Sequence, residues 1–270
     1  MVSILCSTYN HEAFLASALD SVRAQTHTDW ELIIVNDAST DGTDAILDRY
    51  SRLDRRIKVV HNTSHRPVPE NLNRALELAR GDYIARIDSD DFWTDPRKLD
   101  WQLDHFRKFP ALALVGTWAN AVDESGKVIY KLDSPVEDEA IRRWILLRNP
   151  FVSSSIVMKT DLARQCGGFH PREETYEDYG LWLRLGSLGS LANMPVYMVG
   201  YRLIASGLTW TKNEIQLRGS LRLVRKFRDR YPHHRIAAIK WRLHVHIARW
   251  IGAGGLSGLR RLLDRASINS

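Results

Sequence analysis

The strongest constraint on the fold lies in the first 110 residues, where short apolar runs alternate with helical patterns. Residues 2–6, 32–36, 57–61 and 83–88 have strand character, while 11–22, 43–53 and 69–79 carry apolar residues at helical spacing. Asn10 and Thr43 are expected N-caps, Pro69 suits a first helical turn, and Gly81 suits the residue past a helix end. Such alternation predicts an α/β fold, a doubly wound and mostly parallel sheet with helices on both faces. In these sheets ligands bind beyond the carboxyl ends of the strands. Three polar clusters fall at those ends: "STYN" (7–10), "NDASTDGT" (36–43) and "DSDD" (88–91).

Further along, "DP" at 95–96 opens a helix expected to run to Phe109, and 111–130 reads as a hairpin turning at "DESGK". Residues 137–147 look helical, "SSIVM" (154–158) strand-like, and "CGGF" (166–169) breaks the chain. Residues 177–188 form an amphipathic helical pattern and 196–203 a final strand. From 212 the chain is helical, with breaks at Pro232 and at "GAGG" (252–255). That glycine cluster follows a helical run rather than a strand, so it is not a dinucleotide fingerprint.

An Asp-x-Asp pair at the ligand edge can present oxygens to Mg²⁺ or Mn²⁺, which take one or two carboxylates together with substrate phosphates. The plainer alternative is an acidic turn that caps the next helix. Asp88 and Asp90 are the candidate ligands, and Asp91 the candidate turn residue. Asp37, at the end of the second strand, can accept a hydrogen bond from a base imide N–H, or simply belong to a strand-to-helix turn. Tyr9 and Asn10 have the same double reading, as a packing residue and a cap. Phe92 and Trp93 either line an acceptor cleft or close the core, with Trp93 the better candidate for a substrate contact; Trp182 reads as helix packing.

Together these stretches resemble the family 2 glycosyltransferases of the GT-A fold. The likeness runs from "VSILCSTYNHEAFLASALDSVRAQTHTDWELIIVNDASTDGT" through "NLNRALELARGDYIARIDSDDFW", "GTWANAVDESGKVIY", "NPFVSSSIVM", "GGF", "YEDYGLWLRL" and "YRLIASGLT", covering about residues 1–211. By resemblance, Thr8, Tyr9 and Asn10 line a nucleotide pocket, Asp37 reads a pyrimidine, and Asn73 faces the same pocket. Asp88 and Asp90 match the DxD motif, Asp90 being the more direct ligand of a divalent metal bridging the diphosphate. Asp178 matches the catalytic base, and Glu177 contacts the acceptor or orients that base. As a bare sequence feature, Asp178 is equally an acid favoured by the dipole at a helix start.

The resemblance implies an inverting, metal-dependent hexosyltransferase that uses a UDP- or dTDP-sugar and a glycan or lipid-linked glycan acceptor in polysaccharide biosynthesis. Two departures stand out. Relatives often have His where this chain has Ser153, and His at or near the position of Ile204. They leave the metal's ligand set open and keep a catalytically impaired sugar-nucleotide-binding protein in view. A sugar nucleotidyltransferase shares the sheet and the acidic site, but the phosphate loop expected after its first strand is missing from "STYNHEAF".

Charge separates the chain into two parts. Residues 212–270 hold 14 Lys and Arg against Glu214, Asp229 and Asp264, a net of +11, whereas 1–211 carry 24 basic and 29 acidic residues, a net of −5. The expected organisation is a catalytic domain at 1–211, with a nucleotide-binding half (1–110) and an acceptor half (111–211), and a basic helical extension at 212–270. That extension either meets an anionic membrane surface or packs on the domain with a solvated basic face. No nucleic-acid-binding module accompanies the charge. Cys6 and Cys166, the only cysteines, have neither disulfide nor zinc spacing and read as buried reduced thiols. No run of about 18 uncharged apolar residues occurs, and a strand candidate directly follows Met1. The expected setting is cytoplasmic, peripheral at the inner membrane face if the extension binds lipid.

Overall fold

The structure, a computed structural model, describes residues 1–173, 175–204 and 213–248. Its first half follows the expected alternation: β1 (Val2–Thr8), α1 (Glu12–Arg23), β2 (Trp30–Asn36), α2 (Thr43–Leu53), β3 (Ile57–His61), α3 (Val68–Leu78) and β4 (Tyr83–Arg86). A two-residue strand β5 (Phe92–Trp93) and helix α4 (Lys98–Lys108) lead into β6 (Leu112–Val122) and β7 (Val128–Leu132), the expected hairpin. Then come α5 (Asp138–Trp144), β8 (Val157–Lys159), α6 (Thr160–Gln165), α7 (Glu177–Leu185), β9 (Ser190–Arg202) and α8 (Asn213–Lys226). A last helix, α9, spans 234–248.

Among the described residues the sheet runs β3-β2-β1-β4-β8-β6-β9-β5, with β7 beside β6. The pairs β1–β2, β1–β4 and β2–β3 are parallel, so the first half is wound outward both ways from β1. The β4–β8 and β6–β8 pairs are antiparallel, which makes the whole sheet mixed. Alternate residues of each inner strand feed different cores. Leu5, Ile33 and Val35 join one cluster with α3, α7 and α8, while Ile4, Cys6, Leu32 and Ile34 join a second with α1, α2 and α4. Full burial of each such side chain contributes about 1.5–3 kcal/mol, and strands covered on both faces have no polar alternation to lose.

Several local expectations change. Asn10 is not the cap of α1: the flanking residue is His11, with no side-chain capping bond, and Asn10 has φ 52°. Thr43 is the first residue of α2, and the Asp41 carboxylate accepts the Thr43 N–H at 3.0 Å. The final strand starts at Ser190 rather than 196. The 166–169 break holds, with Gly167 and Gly168 at φ 78° and 65°. Cys6 is buried, but Cys166 is only half-buried; both are free thiols. The extension is interrupted at Pro232 as expected, whereas the 252–255 break lies outside the described residues. Leu217, Leu223, Val224, Phe227, Tyr231 and Ala237 are buried, and all but Leu217 are part of the α7 core, so α8 and α9 pack on the body.

Candidate active site

The crevice opens where the chain leaves β1 in one direction for β2 and the other for β4. At the end of β2, the Asp37 N–H donates to Thr8 O (2.9 Å), and its carboxylate gathers three partners. Asn62 Nδ2 (2.7 Å) and the Arg66 N–H (2.9 Å) donate to Oδ1, and His65 Nδ1 lies 2.7 Å from Oδ2. The exposed Tyr9 ring leans on His65 at 4.9 Å between centroids. Asn10 ties the β1 and β2 loops together, accepting from the Thr40 N–H (2.8 Å) and donating its own N–H to Ser39 Oγ (3.1 Å). The Thr8 hydroxyl is buried at this edge without a hydrogen-bond partner.

Beyond β4 the acidic cluster forms one tight turn, closed by Asp91 N–H to Asp88 O (3.0 Å). Asp91 is buried: it accepts from Ser154 Oγ (2.6 Å) and from the Arg202 N–H (2.8 Å). It shapes the turn, as its place in the sequence suggests. Asp88 remains 35% exposed. Burial first, and then the Asp88 charge, push Asp90 up to about 6, with His11 and Arg202 opposing. His11 reaches the turn through Ser89 Oγ (2.6 Å).

The second half of the chain brings Glu177 and Asp178, the first residues of α7, close to Arg86. Ser153 Oγ donates to Asp178 Oδ2 at 2.7 Å and so orients the candidate base. Burial raises the Asp178 carboxyl. Burial, followed by the Asp178 charge, pushes Glu177 up to about 8, and one of its oxygens has no hydrogen-bond partner. Ile204 is buried.

Between the two acidic groups stands Arg86, a residue not singled out from the sequence. It is 3% exposed and donates to Asp88 Oδ1 (2.5 Å), while its Nε and Nη1 lack partners. Burial opposes its charge, but Asp88, Glu177 and Asp178 outweigh that effect and hold its pKa above the usual value. The available signal was an Arg inside the apolar strand "YIARID". Ser154 and Arg202 were also missed. Ser154 accepts the Asp88 N–H and donates to Asp91. Arg202 Nε donates to Asp90 O (2.8 Å), and its Nη1 to Asp123 O and Glu124 O, clamping the hairpin turn onto the acidic one.

One expected contact falls elsewhere. Trp93 is buried; its indole N–H donates to Ser154 O (2.8 Å), and the Lys98 ammonium lies 4.3 Å above its ring. It closes the core rather than an acceptor cleft, because β5 turns it inward beneath the acidic turn. Asn73 holds the 168–169 turn, donating to Phe169 O (2.6 Å) and accepting the Phe169 N–H (2.8 Å), and also lines a pocket with Arg66 and Asn71, next to Asp37. Trp182 is fully buried against Phe151, the packing role expected of it.

Among the described residues, no group of three His, Cys, Asp or Glu side chains forms a ready metal site. The all-oxygen pair Asp88 and Asp90 fits a divalent ion that completes its shell with waters and diphosphate oxygens. Such an ion would also relieve the repulsion that raises Asp90.

Fold and site thus define a class: α/β proteins with an acidic turn at the strand ends of one half and a carboxylate pair brought near it by the other. The profile of "Glycosyl transferase family 2" matches residues 3–165, and the chain belongs to that family. It is 35% identical over 186 residues to the "Putative glycosyltransferase EpsE" of Bacillus subtilis (strain 168), covering 68% of this chain and 66% of that protein. The "Putative teichuronic acid biosynthesis glycosyltransferase TuaG" of the same organism is 33% identical over 217 residues, 78% of this chain and 82% of its own. The chain spans about two thirds of the length of the curated relatives it matches first. Among solved structures, Staphylococcus aureus TarS 1–349 in complex with UDP-GlcNAc aligns with a TM-score of 0.64 at 18% identity, over 83% of this chain and 66% of that one. The mannosyltransferase PcManGT from Pyrobaculum calidifontis, in complex with GDP-Man and Mn²⁺, gives 0.66 at 17% identity, over 97% and 79%. These neighbours share the GT-A fold.

Proposed function

We propose that this chain is an inverting, metal-dependent hexosyltransferase. It moves a sugar from a UDP- or dTDP-sugar to a glycan or lipid-linked glycan, in the cytoplasm at the inner face of the membrane, during polysaccharide biosynthesis. The observation that carries this reading is the convergence on Arg86 of an acidic turn from one half and the Glu177–Asp178 pair from the other. The catalytic unit is 1–211 and 212–270 an extension, of which 213–248 pack on the unit.

Asp37, Tyr9, Asn10 and the unpartnered Thr8 hydroxyl form the donor's base and ribose edge. Asp88 and Asp90 would hold a divalent Mg²⁺ or Mn²⁺, which supplies charge neutralisation to the departing diphosphate when bound. Asp178, oriented by Ser153, takes the proton of the acceptor hydroxyl as its oxygen attacks the anomeric carbon. The bond to the diphosphate oxygen breaks with its electrons leaving on the nucleotide, and one displacement inverts the centre. A carboxylate whose proton affinity is raised by burial is a better base than a solvated one. Glu177, pushed up to about 8, is largely protonated at neutral pH and sets a neutral carboxyl beside Asp178.

The test is incubation with UDP- and dTDP-hexoses, Mn²⁺ and candidate acceptors, measuring the released nucleotide. Nucleoside diphosphate release that depends on acceptor supports transfer; pyrophosphate release would instead assign a nucleotidyltransferase.

A further inference from the structure

Helix α9 has two faces that a simple packing helix does not need. Inward, Ala237 and Ala248 are buried, the Trp241 indole N–H donates to Leu146 O (2.8 Å), and Lys240 Nζ donates to Leu147 O (2.9 Å). Outward, Ile236, Ile239 and Leu243 are 57%, 65% and 55% exposed. Their i, i+3, i+7 spacing puts them in one row along the helix. Arg235, Arg242 and His246, all exposed, border that row on one side at the same helical period. No Asp or Glu occurs between Arg230 and Ala248.

We infer that the outer face of α9 docks on an anionic lipid bilayer, the Ile236–Ile239–Leu243 row entering the acyl boundary and the arginines meeting lipid phosphates. Branched apolar side chains in a row beside arginines, without acids, are what an interfacial helix presents. The charge selects this occupant over a second copy, because two such faces would set basic rows against each other. A nucleic acid would use the arginines and leave the apolar row in water. The helix also sits on the correct half of the molecule. Leu146 and Leu147, which hold its inner face, lead directly to Asn149, whose Nδ2 approaches Asp178 Oδ2 (3.4 Å), and to Ser153. Docking through α9 would therefore bring the acceptor half to the lipid surface.

This deepens the reading of a lipid-linked acceptor and rests on it for its purpose, but the binding itself needs no sugar nucleotide. The experiment is co-sedimentation of the full chain with phosphatidylglycerol–phosphatidylcholine vesicles and with phosphatidylcholine vesicles alone, at physiological salt. Ile239→Ser/Leu243→Ser and Arg235→Gln/Arg242→Gln double variants are compared, with melting curves to confirm folding, which exposed positions should leave intact. The expected result is binding to the anionic vesicles only, reduced tenfold or more by either double variant, with nucleotide release on soluble acceptors unchanged. Absence of wild-type binding, or binding that both double variants retain, overturns the inference. So does a solution dimer that the Ile239→Ser/Leu243→Ser variant dissociates, or equal binding to soluble polyglutamate. Vesicle binding by a protein that transfers no sugar would sink the transferase reading and leave this one standing.

Discussion

Replacing Arg86 with Met removes a buried cation that Asp88, Glu177 and Asp178 share. Two unit charges about 4 Å apart at an effective dielectric of about 20 interact by roughly 4 kcal/mol, equivalent to about three pH units on a single carboxylate. Asp88, Glu177 and Asp178 divide that interaction. Asp178 is already raised by burial, and Arg86 pulls it down; without Arg86 its pKa rises further. The base then stays protonated to higher pH, and the acid limb of kcat/KM should move to higher pH. Breaking a buried ion pair costs about 3–5 kcal/mol. Here Asp88 is 35% exposed and two guanidinium nitrogens have no partner, so the stability loss should be about 1–3 kcal/mol. The assay is nucleotide release across pH 5–9 for wild type, Arg86→Met and Arg86→Lys, with urea melts in parallel. Lys keeps the charge and should return the limb most of the way. An acid limb that Arg86→Met leaves in place, or one that Arg86→Lys moves as far, would refute the reasoning.

Glu177 sits at about 8 in the fold against 4.5 as a free carboxyl, so the folded chain holds that proton more tightly. Its contribution is complete below about pH 4.5 and is lost as pH rises through 8, so Glu177→Gln should match wild type near pH 4.5 and exceed it by on the order of 2–4 kcal/mol above pH 8 in urea melts. Asn73→Ala removes two bonds to the Phe169 backbone and should cost about 1–3 kcal/mol of stability while leaving the donor KM unchanged; a donor-specific rise in KM would assign Asn73 to the nucleotide pocket. Trp93→Phe loses the bond to Ser154 O and should lower stability by about 1 kcal/mol, with the acceptor KM unaltered.

The parallel half of the fold was legible because period and length speak directly: strands buried on both faces read as short apolar runs between helical patterns. Strand ends then located the loops that carry Asp37 and the 88–91 turn. Less legible was how polar atoms are spent. Asn73 and Trp93 donate to backbone carbonyls 96 and 61 residues away, partners that no spacing in the sequence suggests. Asn10 appears to be a cap until its positive φ and its bond to Thr40 are seen. Arg86 was hidden for a related reason. Its meaning comes from carboxylates that only the sheet brings together, two of them on α7, more than 90 residues along the chain. The Ser153 position, read from the sequence as a departure, becomes a hydroxyl that orients Asp178 once the loop is placed.

The central claim is that the crevice divides its labour, with Asp88 and Asp90 on the donor and Asp178 on the acceptor. Thermal shift with a UDP- or dTDP-sugar and Mn²⁺, read beside turnover for Asp90→Asn and Asp178→Asn, separates the two most directly. Asp178→Asn should keep the wild-type donor-induced shift and lose turnover by a hundredfold or more, while Asp90→Asn should lose the Mn²⁺-dependent shift itself. Loss of the shift in both variants, or turnover that survives Asp178→Asn, would contradict the account.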